Sequence, residues 1–190
     1  MFSRRTLLAA FPLTAAGFLG ACSISTSGTT TTVTIDTAEV DAYGKVGVNA
    51  VATVLSIAAV ASVLGSGTVA IIEAASAALT VALAGFDSAT SGQVTFTVDD
   101  TSALSAAKSV MTALGTLLSD LKSAVTSLSG KIGSNDLSNV NTAIAAAETA
   151  SSLTEALLGL VSVSASAPKA RMSRPEMFRA VGLPVPPWAG

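Results

Sequence analysis

Cys22 is the only cysteine among the 190 residues, and the chain has no histidine. Without histidine there is no imidazole base for a Ser-His-Asp triad and no imidazole metal ligand, and a single thiol forms neither an internal disulfide nor a zinc cluster. Three sparser arrangements could still do chemistry. Gly65-Ser66-Gly67-Thr68-Val69-Ala70 has the spacing G-x-G-x-x-A, in which glycines let backbone approach a pyrophosphate, and Asp87 stands further along where a ribose hydroxyl would be held. Ser105-Ala106-Ala107-Lys108 and Ser119-Asp120-Leu121-Lys122 each set a lysine one helical turn after a serine, the spacing of a lysine-activated nucleophile. Asp99-Asp100 could contribute oxygens to a hard cation, which takes roughly six to eight of them.

Each arrangement has a simpler structural explanation. No further βαβ units follow the glycine motif, so its glycines read as the turn of a helical hairpin. The serine-lysine spacing is the nucleophile motif of penicillin-binding proteins and β-lactamases, but the companion S-D-N and K-T-G motifs are absent and a serine-rich chain produces it by chance. The aspartates read as a helix cap. The expectation is a non-enzymatic protein with no catalytic residues, no metal site and no cofactor; a dinucleotide-binding oxidoreductase is the weakest alternative.

Cys22 closes a segment that reads as an address. Met1-Phe2-Ser3-Arg4-Arg5 is a short basic stretch, Thr6 to Leu19 is apolar around Pro12, and Leu19-Gly20-Ala21 brings small residues up to the cysteine. Ser3-Arg4-Arg5-Thr6-Leu7-Leu8 resembles the twin-arginine (Tat) export signal of bacteria, with Leu7 where phenylalanine is usual. Leu19-Gly20-Ala21-Cys22 resembles the bacterial lipobox. That resemblance implies cleavage before Cys22 after its sulfur has received a diacylglycerol, and acyl chains such as palmitate would hold the mature chain at a membrane. Two or more chains suffice for stable attachment, since each buried methylene contributes about 0.8 kcal/mol. Ser23, in place of the aspartate that retains lipoproteins at the inner membrane, points to the outer membrane, facing the periplasm or the cell surface.

Composition fits a packed body on such an anchor. Half of the chain is hydrophobic, 12% is charged and 4% aromatic, with mean hydropathy +0.65, so the core must be built from small aliphatic groups. The 10 basic and 12 acidic side chains offer no general attraction for nucleic acid.

The pattern predicts an all-α protein: an antiparallel four-helix bundle with a minor two-stranded β element, after a cleaved signal peptide (1–21) and a Ser/Thr-rich tether with a short strand (22–35). The bundle occupies 36–163 and a basic, proline-containing tail 164–190. Asp36 and Glu39 form an Asp-type capping box for a first helix running to Leu64, and Gly65-Ser66-Gly67 turns into a second over about Thr68 to Phe86. Leu104, Ala107, Met111, Leu114, Leu118, Leu121, Val125 and Leu128 make a heptad seam in a third, Thr101 to Ser129. A fourth spans about Asp136 to Val163. Thr32-Val33-Thr34-Ile35 and Val94 to Val98 alternate as strands that would pair.

In the tail, Ser173-Arg174-Pro175-Glu176 has the form of a capping box, followed by Met177, Phe178 and an extended Val185-Pro186-Pro187-Trp188. Met177, Phe178 and Trp188 are candidates for docking a partner, either an envelope protein or a second copy; the competing expectation is that the tail folds over the bundle or frays. Val46 to Leu64 and Val69 to Phe86 are each near the length of a bilayer span, which leaves a membrane-inserting helical hairpin with a pore or lysis-like role as the alternative function.

Overall fold

The computed structural model describes residues 22–27, 30–91, 95–97, 101–158 and 172–190. Arg4, Arg5, Leu19, Gly20 and Ala21 of the signal segment lie outside the described residues, as do Asp99 and Asp100. Helices carry the fold: α1 Thr37–Leu55, α2 Ala58–Thr90, α3 Thr101–Leu128, α4 Ser134–Leu157 and a short α5 Arg174–Ala180, with a 3-10 turn at Pro187–Ala189. The backbone of β1 (Cys22–Ser27), β2 (Thr30–Asp36) and β3 (Thr95–Thr97) pairs antiparallel in that order, Cys22 opposite Ile35 and Thr34 opposite Thr97.

α1 packs on α2 and α4, while α3 packs on α2 and α4, which closes a ring of four long helices around one core. The core is aliphatic, with Val40, Val46, Ile72, Leu79, Leu114, Leu117, Leu121 and Leu128 withdrawn from solvent. Each such side chain stabilises the fold by about 1.5 to 3 kcal/mol relative to exposure. Two glycines set how closely α1 approaches its neighbours. A Cβ on Gly44 would collide with Leu83 of α2, and one on Gly47 would stand 2.5 Å from Leu114 Cδ1 and 3.0 Å from Leu79 Cδ2.

A chain rich in Ser and Thr can bury these helices because the hydroxyls are satisfied locally. Thr90, Thr149 and Thr154 are buried, and their hydroxyls donate to the carbonyls of Phe86, Ala145 and Ala150 one turn back, at 3.0, 2.8 and 2.8 Å. The sparse charges also pair: Lys122 of α3 reaches Glu148 of α4 at 2.6 Å.

The first hairpin has two breaks, one at Ser56-Ile57 and one at Gly65. α1 stops at Leu55, where the Ser56 hydroxyl donates to the Thr53 carbonyl (2.7 Å) and Ile57 takes extended backbone angles that start α2. Gly65 lies inside α2 as a kink, with φ 73° and ψ 161°, angles that a side chain would resist. Residues 58–64 are helical, so the strand that must precede a dinucleotide-binding turn is not there.

In α3 the heptad rhythm holds but its phase differs. The residues facing inward are Ala103, Ala107, Val110, Leu114, Leu117, Leu121, Ala124 and Leu128, a complete alternation of four and three, whereas Leu104, Met111 and Val125 are only half-buried beside it. Small residues at 103, 107 and 124 fit a close helix approach that larger ones would obstruct. α4 ends at Leu157, with Leu158 as C-cap, and the rest of its expected span, 159–163, lies outside the described residues.

Candidate functional site

Two places gather the candidate residues. One is the backbone entry at Cys22, which starts β1 opposite Ile35, immediately before the α1 cap. Part of the stretch expected as a tether, Ser23 to Thr32, therefore lies in β1 and β2.

The other is the junction between α1 and the C-terminal segment. Asp36 caps α1 by accepting from the Ala38 amide at 2.8 Å. Glu39, read in the sequence as the second half of that capping box, turns inward instead: its residue is 4% exposed, its Oε2 accepts from the Tyr43 hydroxyl (3.3 Å), and its Oε1 is 3.8 Å from Arg174 Nη1. The i to i+4 spacing puts Glu39 and Tyr43 on one face of α1, and the third partner comes from a segment more than a hundred residues away. Burial raises the Glu39 carboxyl above its ordinary range, with the Arg174 guanidinium and the Tyr43 hydroxyl opposing the rise and Asp36 adding to it. Burial likewise raises the Tyr43 phenol, reinforced by the adjacent Glu39 charge.

The segment that supplies Arg174 is locally built to fold. Ser173 and Glu176 complete a capping box, in which the Ser173 amide and hydroxyl both donate to Glu176 Oε2, at 2.9 and 2.7 Å, and Pro175 fits the first turn. Those two bonds hold the Glu176 carboxyl below its ordinary range. Met177 and Phe178 are buried, and Trp188 is half-buried. The Phe178 ring lies 6.4 Å from Tyr43 at 28°, and the Trp188 ring meets Tyr43 at 5.8 Å and Phe178 at 5.9 Å, nearly perpendicular to each. Pro186 is extended, as its sequence suggests, but Pro187–Ala189 closes into a 3-10 turn that delivers the indole to the cluster. The three candidates for docking a partner are thus brought onto the chain's own body: α5, which carries Met177 and Phe178, packs on α4, and the rings of Phe178 and Trp188 meet Tyr43 of α1.

Glu39, Tyr43 and Arg174 were not among the sequence candidates for this cluster. Their signal is faint: a Glu and a Tyr four apart, and one arginine among several in a basic tail, become a unit only through the fold. The serines and lysines of the two S-x-x-K matches remain on α3, where Ser105, Lys108, Ser119 and Lys122 are exposed.

α2 presents a second kind of surface. It is the one helix among the described residues that is long and apolar enough to cross a membrane, and Ile71 and Val81 are 59% and 72% exposed on it. Between Gly47 and Ala107 the sequence has no lysine or arginine, so this side of the ring carries little charge beyond Glu73 and Asp87. A shallow groove between α1 and α2, lined by Val51, Leu55, Glu73 and Thr80 among others, runs along it. Comparison with protein-family models, curated proteins and solved structures finds no match to the chain.

Proposed function

We propose that the chain is a bacterial cell-envelope lipoprotein, anchored through lipid on Cys22, whose exported body is a non-enzymatic structural or interaction module. The observation that carries this reading is the position of the sole cysteine, directly after Leu19-Gly20-Ala21 and behind a basic and then apolar segment that includes Arg4-Arg5. On this reading the body is an antiparallel four-helix bundle with a minor β element, exported folded by the Tat route and held at the outer membrane facing the periplasm or the surface. Its partner is another envelope protein or a second copy.

Cys22→Ser tests the anchor. The variant should lose incorporation of labelled palmitate and either accumulate as uncleaved precursor or leave the membrane fraction; unchanged labelling and attachment would overturn the reading. Arg4-Arg5→Lys-Lys tests the route, with blocked export expected for Tat and normal export for the general secretory path.

A second reading, a membrane-inserting helical hairpin with a pore or lysis-like role, draws on the exposed apolar face of α2. A chain beginning at Ser23 separates the two. Helical structure in water without detergent supports the module, whereas a need for detergent together with leakage of liposomes supports the hairpin.

A further inference from the structure

The cluster at the start of α1 gathers aromatic and charged groups at one edge of a core that is otherwise mostly aliphatic. The four long helices close their ring without α5, and apart from Tyr43, Phe86 and a few threonines their interior is Val, Leu, Ile and Ala. Of the four aromatic side chains described, Tyr43, Phe178 and Trp188 gather at the one junction where the C-terminal segment meets α1. Tyr, Trp and Arg are the residues in which binding energy concentrates at protein interfaces. The ionic contact is divided in the same way: the buried carboxylate belongs to α1, where Asp36 adds a second negative charge nearby, and the guanidinium belongs to the segment. With its own capping box and Pro175, the segment also has the pre-organisation that lowers the ordering cost of a peptide ligand.

We propose that the face of α1 carrying Glu39 and Tyr43, with α4 beside it, is a peptide-recognition site filled here in cis by residues 172–190, and that its ligand in trans is the same segment from a second copy of this chain. The ligand class is a short helical peptide with an arginine at one position, Met-Phe three and four residues later on the same face, and a tryptophan beyond. Thirteen residues, 159–171, join Leu158 to Met172 and can span at most about 45 Å, enough to reach a neighbouring chain. Being part of the same chain, the cis segment competes with any free copy at an advantage, so it holds the site unless it is weakened or a neighbour is crowded against it. Exchange between two copies keeps every contact and closes as a two-fold dimer. The inference stands on the α1 junction alone and does not require Cys22 to be lipidated.

The test uses the full chain and a fluorescein-labelled synthetic peptide of residues 172–190. Phe178→Ala, which weakens the cis segment, should bind the peptide saturably and at least tenfold more tightly than the wild-type chain, and adding Tyr43→Ala should remove that binding. Far-ultraviolet circular dichroism accompanies each titration. If Phe178→Ala stays helical and does not bind, or if binding survives Tyr43→Ala, the proposal is overturned. Trp188→Ala serves as the second opening variant; if both Phe178→Ala and Trp188→Ala unfold the four long helices, the segment is part of the core and the proposal is again overturned.

Discussion

Tyr43 of α1 and Trp188 of the C-terminal turn meet edge to face, with ring centroids 5.8 Å apart and planes at 88°. Such pairs contribute about 0.5 to 1.5 kcal/mol beyond the area they bury. A double-mutant cycle of Tyr43→Leu and Trp188→Leu, read by chemical denaturation, should return a coupling energy in that range. Additive effects of the two substitutions would mean that the rings lie close without supporting each other.

Glu39 predicts a pH dependence with a defined sign. Its carboxyl is raised above the ordinary value of 4.5 in the fold. A group of this kind contributes stability that is fully present below its unfolded pKa and is lost as pH rises through its folded pKa. Glu39→Gln does not titrate, so its melting midpoint should gain on that of the wild type as pH rises from about 4 to about 7. Glu176, which shifts the opposite way, is common to both chains and cancels in the comparison. A midpoint difference that moves toward the wild type over this interval would show that Arg174 outweighs burial.

Gly47 predicts a packing effect. A methyl at this position meets Leu114 and Leu79, and overfilling a close-packed core costs about 1 to 3 kcal/mol. Gly47→Ala should therefore destabilise the chain. Combining it with Leu114→Val, which removes the obstructing Cδ1, should cost less than the sum of the two single changes by about 0.5 to 3 kcal/mol. Strict additivity would place α1 farther from α3 than the structure has it.

The α3 seam shows how much of the fold was legible. A repeat of threes and fours identified the helix and four of its inward positions, Ala107, Leu114, Leu121 and Leu128, because those belong to both possible phases of the heptad. At the other positions side-chain size favours Leu104, Met111, Leu118 and Val125, while the close approach of neighbouring helices favours Ala103, Val110, Leu117 and Ala124; of the former only Leu118 is buried, at 8% exposed, on the flank. The first hairpin is legible in part: the break expected at the glycines is there, at Gly65, but α1 already stops at Leu55, and the second break at Ser56-Ile57 carries no glycine to announce it. By contrast, the Ser173-Glu176 capping box is a local device and was readable directly. The Glu39-Tyr43-Arg174 group was not, because its members come together only when the tail returns to α1.

That phase difference is itself measurable. Leu117 is fully withdrawn from solvent and Leu118 is not. Buried Leu→Ala changes cost about 2 to 5 kcal/mol, with the larger losses where the surroundings cannot collapse. Leu117→Ala should fall toward the upper end and Leu118→Ala toward the lower, by denaturant midpoint at unchanged slope. The reverse order would restore the phase expected from side-chain size.

The intact mass of the mature chain, extracted from membranes of the producing bacterium, tests the lipoprotein reading most directly. The predicted result is a protein whose first residue is Cys22, with a diacylglycerol on its sulfur and no residues of the 1–21 segment. A mature chain that begins elsewhere, or that begins at Cys22 with an unmodified thiol, would contradict it.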